Sequence, residues 1–355
     1  SYTLDSKQMK VLSLNQRIQV LADLGEMIRF ELNCSPYNAT FENLLNKVNQ
    51  SNPWFTIENT IQSLSAWSNL LDNNHLNQFI SGYDTQLFEK KNDKVVLLIL
   101  AGNIPLVGMH DVVCSFLSGS KSMIKVSSKD AILIKFFIDQ MGKINPAALE
   151  YFEISEATAQ GFTHVIATGS NNSARYFDHY FSKFPNIIRK NRSSLAIIKQ
   201  ETTDNELKNL ANDVFQYFGL GCRNVTQLWV PRSFDFDRLK NAFKAYATVI
   251  NHNKYANNYD YHKAIALMNG DPFIDLEFIL LQNKPMLKSP LGVLHYNFYE
   301  NLTEVNSYIQ EHREHIQCIV SSESSSSIEV NFGQTQQPKL WDFADQIDTL
   351  QFLLS

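Results

Sequence analysis

Val95-Val96-Leu97-Leu98-Ile99-Leu100-Ala101-Gly102-Asn103-Ile104-Pro105 is the stretch on which the fold turns. The run from Val95 to Ala101 is apolar without alternation, the mark of a strand covered on both faces, as in a parallel sheet. It breaks at Gly102. Pro105 suits the first position of a helix, and Leu106, Val107, Met109, Val112, Val113, Phe116 and Leu117 continue at helical spacing up to Gly119. A helix opening at Pro105 is therefore expected. Met123–Val126 then reads as a strand, Ser127–Asp130 as a loop and Ala131–Met141 as a helix. Strand, helix, strand, helix within about 50 residues predicts right-handed parallel crossovers.

The pattern continues in both directions. Phe162–Ala167 is a strand, Thr168-Gly169-Ser170 a small polar turn, and Asn172–Phe181 a helix. Such a turn leaves backbone N–H groups at a helix N-terminus, where phosphates bind, although on spacing alone it reads as an ordinary turn. In open α/β sheets ligands sit outside the carboxyl ends of the strands, so Gly102, Ser127 and Gly169 are expected on one edge. No GxGxxG is present. Before residue 90 the chain is predicted to be helical, with Val11, Leu14, Ile18, Leu21, Leu24 and Ile28 in one apolar stripe and further helices over Phe41–Val48 and Ile57–Leu71.

Beyond residue 190, Ser194–Ile198 reads as a strand. Thr203 and Glu206 stand in capping-box spacing ahead of a helix with Leu207, Leu210, Ala211, Val214, Phe215 and Phe218 on one face. That helix is expected to run into Gly219-Leu220-Gly221-Cys222, and Val225–Val230, stopped by Pro231, is the next strand. A helix follows from Phe234 to Val249, Tyr255–Tyr261 takes no assignment, and Gly292–Tyr296, Leu302–His312 and Ile316–Val320 read as strand, helix and strand. Ser321–Ser327 is low-complexity and read as a solvated loop, or as the return to the first domain. On these residues alone Cys222 is either a nucleophile presented on a glycine turn or a small buried thiol beside it. Cys114 in a helix and Cys318 in an apolar strand read as structural.

Composition narrows the class. A chain of 355 residues is long enough for about two domains. The net charge of -5 offers no basic stripe for nucleic acid. No apolar run approaches the roughly 18 residues of a membrane span. Ser1-Tyr2-Thr3-Leu4-Asp5 shows no leader pattern, and four cysteines without CxxC suit a reducing cytoplasm and give no zinc spacing. No metal site is expected.

Taken together, the motifs resemble the aldehyde dehydrogenase superfamily and, within it, the bacterial acyl-CoA reductase (LuxC) family, whose members make the fatty aldehyde for luciferase. The resemblance spans Lys94 to Ile319. Ala101-Gly102-Asn103-Ile104-Pro105 is similar to the strand-end motif whose Asn helps hold the oxyanion, with Ile104 in place of an aromatic. Ile124-Lys125-Val126-Ser127-Ser128 resembles the Lys-Pro-Ser motif at the adenosine ribose or its 2′-phosphate, with Val126 for Pro. Thr168-Gly169-Ser170 resembles the turn near the pyrophosphate and nicotinamide. Gly219-Leu220-Gly221-Cys222 falls where the nucleophile belongs, and Pro290–Leu294 resembles a later catalytic-domain segment.

The resemblance implies an aldehyde dehydrogenase-like α/β fold, with two domains each holding a largely parallel sheet flanked by helices, and an N-terminal helical segment. The division it implies is 1–93 helical, 94–193 Rossmann-like and cofactor-binding, 194–320 catalytic, and 321–355 a return segment. It implies Cys222 and Asn103 as catalytic residues, and Gly102, Lys125, Ser127, Thr168, Gly169 and Ser170 as cofactor-binding. Arg223 and neighbouring N–H groups are candidates for lowering the thiol pKa. Two departures are informative. Hydrolytic members carry a water-activating Glu where this chain reads Arg189-Lys190-Asn191-Arg192-Ser193-Ser194. An enzyme that reduces an acyl group taken from a thioester has no use for that base. A second Glu, at the nicotinamide ribose, is also missing near Lys288-Ser289-Pro290. The expected activity is NADPH-dependent reduction of a long-chain acyl-CoA or acyl thioester to the aldehyde in the cytoplasm, with a homo-oligomer and an acyl-transferring protein as partners. A short-chain or acyl-phosphate reductase of the same fold, and a non-redox acyl-carrying subunit, are the alternatives.

Overall fold

A computed structural model describes residues 11–155, 159–323 and 326–355. Residues 1–10, 156–158 and 324–325, and with them part of the serine-rich loop, lie outside the description. The chain forms two compact units, the first from residues 1–190 with 339–355, the second from residues 191–338. Each is built around its own sheet.

The first unit opens with helices α1 (Leu14–Asn33), α2 (Ala39–Ser51), α3 (Ile57–Leu70), α4 (Asn73–Ile80) and the single turn α5 (Gln86–Glu89). Then follow β1 (Val95–Ile99), α6 (Met109–Ser118), β2 (Lys121–Lys125), α7 (Ala131–Ile144), β3 (Phe152–Ile154), β4 (His164–Thr168), α8 (Asn171–Tyr180) and β5 (Asn186–Arg189). The sheet order is β3-β2-β1-β4-β5, parallel throughout. The continuous apolar run of β1 has a direct explanation. Val96 and Leu98 pack into the large core shared with α1, α6 and α7, while Leu97 packs on the other face with Met123, Val165, Ala167 and Phe181. Burial on both faces removes the need for a polar alternate.

One expectation about this unit is corrected. The helix after β1 starts at Met109, with Gly108 as its N-cap, and not at Pro105. The buried carboxylate of Asp130 accepts the Leu106 N–H at 2.7 Å, and Leu106 takes a left-handed φ of 60°, so residues 104–107 form a turn that no helix can include.

The second unit runs through β6 (Ser193–Ile197), α9 (Asp204–Phe215), β7 (Val225–Pro231), α10 (Asp237–Phe243), α11 (Asn253–Asn269), β8 (Ile274–Asp275), β9 (Leu280–Asn283), β10 (Val293–Tyr299), α12 (Leu302–Glu311), β11 (Ile316–Val320) and β12 (Glu329–Val330). Its sheet order is β12-β11-β6-β7-β10-β9-β8, parallel except for the β8–β9 pair. The predicted capping box is present: Thr203 Oγ1 accepts the Glu206 N–H at 3.1 Å and Glu206 accepts the Thr203 N–H at 2.8 Å.

Three local expectations are corrected here. α9 ends at Phe215, and Tyr217 and Phe218 take φ of 55° and 57°, so the helix stops before the glycines. The helix expected over 234–249 is α10, followed by a 3₁₀ stretch, Lys244–Asn251. The unassigned Tyr255–Tyr261 lies inside α11. That helix has no aliphatic stripe and anchors instead through tyrosines, with Tyr255 Oη donating to Phe278 O at 2.9 Å and Tyr259 Oη to Asp275 Oδ1 at 2.6 Å. After residue 338 the chain returns to the first unit, where α13 (Thr349–Leu354) buries Leu350, Leu353 and Leu354 in the core that holds β1. Among the described residues no helix is long and apolar enough to cross a membrane.

Candidate active site

In the first unit the chain leaves β1 toward β2 on one side and reaches β4 on the other, so the strand order reverses beside β1. The carboxyl edge at such a switch point is where open α/β sheets bind ligands. Gly102 and Asn103 follow β1, Lys125 and Ser127 end and follow β2, and Thr168, Gly169 and Ser170 end β4 and open α8. The structure thus gathers seven of the eight expected site residues on one edge. The eighth, Cys222, belongs to the second unit.

Backbone approach explains the glycine. A Cβ at Gly102 would stand 2.4 Å from Ser127 Oγ and 2.6 Å from Ser127 Cβ, so the loops after β1 and β2 touch only because that side chain is missing. Asp130 sits beneath them, 3% exposed, and one of its carboxylate oxygens has no hydrogen-bond partner. Burial pushes its carboxyl up to about 8, against the opposing pull of the Leu106 N–H. At β4, Ser170 Oγ caps α8 by accepting the Ser173 N–H at 3.2 Å, and the N-terminus of this ten-residue helix presents the positive end of its dipole at the edge. Lys125 is exposed at the end of β2. A helix N-terminus, a crowded glycine turn and an exposed lysine along one parallel-sheet edge form a cradle suited to a phosphate-bearing ligand.

Arg189 was missed as a member of this edge. Its Nη1 donates to Asp111 Oδ2 at 2.7 Å and to Thr168 Oγ1 at 3.3 Å, its Nη2 donates to Thr349 Oγ1 at 2.9 Å, and its carbonyl accepts the Gly169 N–H at 3.2 Å. One buried guanidinium therefore ties the Thr168 turn to α6 and α13. Asp111 keeps the guanidinium protonated against the cost of burial. No local pattern pairs residues so far apart in the chain.

In the second unit, Cys222 is half-buried in a turn at the amino end of β7. The Asn224 N–H donates to Gly221 O at 3.1 Å, closing the turn. Gly219 ahead of it has φ 76°, a conformation open to glycine at little cost. Asn224 is fully buried; its Oδ1 accepts the Gly221 N–H at 2.8 Å and its Nδ2 donates to Gln216 O at 2.9 Å and Asp213 O at 3.1 Å. Ser194, also fully buried, donates to Cys222 O at 3.0 Å and accepts the Cys318 N–H at 3.0 Å. The Asp213 carboxylate accepts from Gly333 N, Thr335 N and Thr335 Oγ1, and burial still raises it to about 6. Arg223 donates through Nε to Thr335 O, and its charge counters the rise at Asp213. The sequence carried one usable signal for Asn224, an Asx residue three positions after a glycine at a turn. Ser194 and Asp213 had none.

Family comparison follows this geometry. The family model described as acyl-CoA reductase (LuxC) matches residues 36–330. Comparison with curated protein sequences gives no match. Among solved structures the fold is similar to aldehyde dehydrogenase 21 from Physcomitrella patens in complex with succinate, at TM-score 0.68 and 12% identity over 98% of this chain and 85% of that one. It is similar to an NADP dependent enzyme from E. coli, at TM-score 0.66 and 12% identity over 88% and 74%. A mutant aldehyde dehydrogenase C from Pseudomonas syringae, complexed with NAD+ and octanal, gives TM-score 0.64 and 13% identity over 88% and 73%. At these identities the likeness shows the fold, which is that of the aldehyde dehydrogenases. With the family model spanning most of its length, the chain belongs to the acyl-CoA reductase (LuxC) family.

Proposed function

We propose that the protein reduces a long-chain acyl-CoA, or another acyl thioester, to the fatty aldehyde with NADPH, through an acyl group carried on Cys222. The observation that carries this is the position of Cys222, half-buried on a turn fixed by buried side chains, in a chain of an acyl-CoA reductase family. The thiolate is the competent nucleophile, and a free cysteine titrates near about 8.5. It attacks the thioester carbonyl, the bond from carbonyl carbon to Cys222 sulfur forms, the bond to the donor sulfur breaks, and the donor leaves as a thiol after taking one proton. Asn103 is the side-chain amide assigned to the oxyanion, as the resemblance implies.

The edge formed by Gly102, Lys125, Ser127, Thr168, Gly169 and Ser170 fits the phosphates and ribose of a nicotinamide dinucleotide. The Ser170-capped helix end and the side-chain-free approach at Gly102 support that assignment. Solved relatives of the same fold are named as NADP dependent or as complexed with NAD+. When bound, the cofactor supplies the hydride that, with one proton, releases the acyl group from Cys222 as aldehyde and restores the thiol. Lys125, exposed at the end of β2, favours a 2′-phosphate and hence NADPH.

The segment from residue 189 to 194 supports reduction over hydrolysis. Arg189 is committed to Asp111 and Thr349, Ser194 to Cys222 O and Cys318 N–H, and no carboxylate stands in this stretch to activate water.

Mass spectrometry after incubation with acyl-CoAs of graded length, without NADPH, tests the proposal. One acyl mass is expected on Cys222, with long chains preferred, and NADPH is then expected to discharge it as aldehyde. Reduction of acyl-CoA by Cys222→Ala at the parent rate would overturn it. Failure to bind NADPH would leave a non-redox acyl carrier, and preference for short acyl groups would leave a short-chain reductase.

A further inference from the structure

We propose that Asn224 and Ser194 are positioning residues that aim the Cys222 thiol at the acyl carbonyl. The proposal rests on Cys222 being the acyl-bearing nucleophile. Its evidence lies in three consecutive peptide planes. The plane before Gly221 is held by the Gly221 N–H donating to Asn224 Oδ1 at 2.8 Å. The plane between Gly221 and Cys222 is held by Gly221 O, which accepts the Asn224 N–H at 3.1 Å. The plane after Cys222 is held by Cys222 O, which accepts Ser194 Oγ at 3.0 Å. With all three planes fixed, the direction of the Cys222 Cα–Cβ bond is fixed too.

The holders are themselves anchored. Asn224 spends its amide hydrogens on Gln216 O and Asp213 O, and Ser194 accepts the Cys318 N–H from β11. Both are wholly buried, where a polar side chain is costly unless its hydrogen bonds are made. A cysteine that only filled space needs no such frame. Cys114, fully buried, is held only by the helix α6, whereas the Ser194 hydroxyl that holds Cys222 O sits where the β6–β11 register shifts and also takes the Cys318 N–H. The Cys222 frame reaches further, through the Asp213 carboxylate to Gly333 and Thr335 and through Arg223 Nε to Thr335 O, so the segment after β12 braces the same turn.

A frame that aims a thiol has a signature distinct from one that merely stabilises a fold. Acylation by a bulky thioester needs the sulfur in one direction, and displacement by about 1 Å costs up to about 100-fold in rate. A small alkylating agent reaches a half-buried sulfur from more than one direction. In full-length Asn224→Ala and Ser194→Ala, single-turnover acylation by a long-chain acyl-CoA is expected to fall about 10- to 100-fold. Alkylation of Cys222 by iodoacetamide, read by peptide mass, is expected to stay within about threefold of the parent, and NADPH binding to be unchanged. Ser194→Thr, which keeps the hydroxyl, is expected to recover most of the acylation rate. Should Asn224→Ala not fold, the Ser194 pair decides alone, since Ser194→Ala removes one hydroxyl and adds no volume. Acylation unchanged in a folded variant overturns the proposal. So does an equal fall in acylation and alkylation, which would mean altered ionisation or access and not aim. If the parent protein forms no acyl adduct at Cys222, the assignment of the nucleophile fails instead.

Discussion

Arg189 Nη1 donates to Asp111 Oδ2 at 2.7 Å, and the two side chains are 5% and 7% exposed. An ion pair this deep is sensitive to loss of one member, because the survivor is left as an unpaired buried charge. Asp111→Ala is expected to destabilise the first unit by about 3–5 kcal/mol, measured by urea unfolding. The loss should exceed that of the double variant Asp111→Leu with Arg189→Met, which removes both charges. If the single and double variants unfold alike, the pair contributes nothing beyond packing.

Asp130 predicts a pH dependence. Its folded-state carboxyl titrates at about 8 against about 3.9 for an unperturbed Asp, so between those values the folded protein holds a proton that the unfolded chain has released. Its contribution is therefore fully present below about pH 4 and is lost as pH rises toward 8. Asp130→Asn keeps an oxygen for the Leu106 N–H but does not titrate. Unfolding free energies at pH 5 and pH 8 are expected to differ less in this variant than in the parent. An unchanged slope would place the titration elsewhere.

Crowding at Gly102 makes a local prediction. Gly102→Ala puts a methyl carbon 2.4 Å from Ser127 Oγ and must push the two loops apart. NADPH affinity, followed by cofactor fluorescence, is expected to fall several-fold. Equal affinity in Gly102→Ala and the parent would remove this edge from the cofactor site.

Asn103 carries the catalytic prediction of the first unit. If its amide stabilises the oxyanion, Asn103→Ala costs about 3–4 kcal/mol of barrier, a fall in kcat of about 100- to 1,000-fold. NADPH affinity should hold, because the loss belongs to the reacting carbonyl. A change confined to KM would assign Asn103 to binding.

Much of the fold was legible from residue order. The run Val95–Ala101 signalled a strand buried on two faces because such a strand has no solvent side to mark with polar residues. The Thr203–Glu206 box signalled a helix start because both partners lie within one turn. Where short-range signals conflicted with distant ones, the distant ones won. Pro105 is a good helix opener, yet Asp130, 24 residues on, claims the Leu106 N–H and delays the helix to Met109. α11 was hidden because tyrosines and not aliphatics make its buried face. β8 and β12, two residues each, are too short for any periodicity.

By itself the sequence determined the strands and helices that carry the site in each unit, the glycine turn that carries Cys222 and the lack of a carboxylate from 189 to 194. Each is written in neighbouring residues, where side-chain period, turn chemistry and composition act. Tertiary structure alone decided the strand orders and the partners that hold the site, and it fixed residue 339 as the point where the expected return to the first unit begins. Arg189 meets Asp111 across 78 positions and Thr349 across 160, and Ser194 meets Cys318 across 124. Buried polar groups must find partners wherever the fold brings them, and local sequence does not record where that will be.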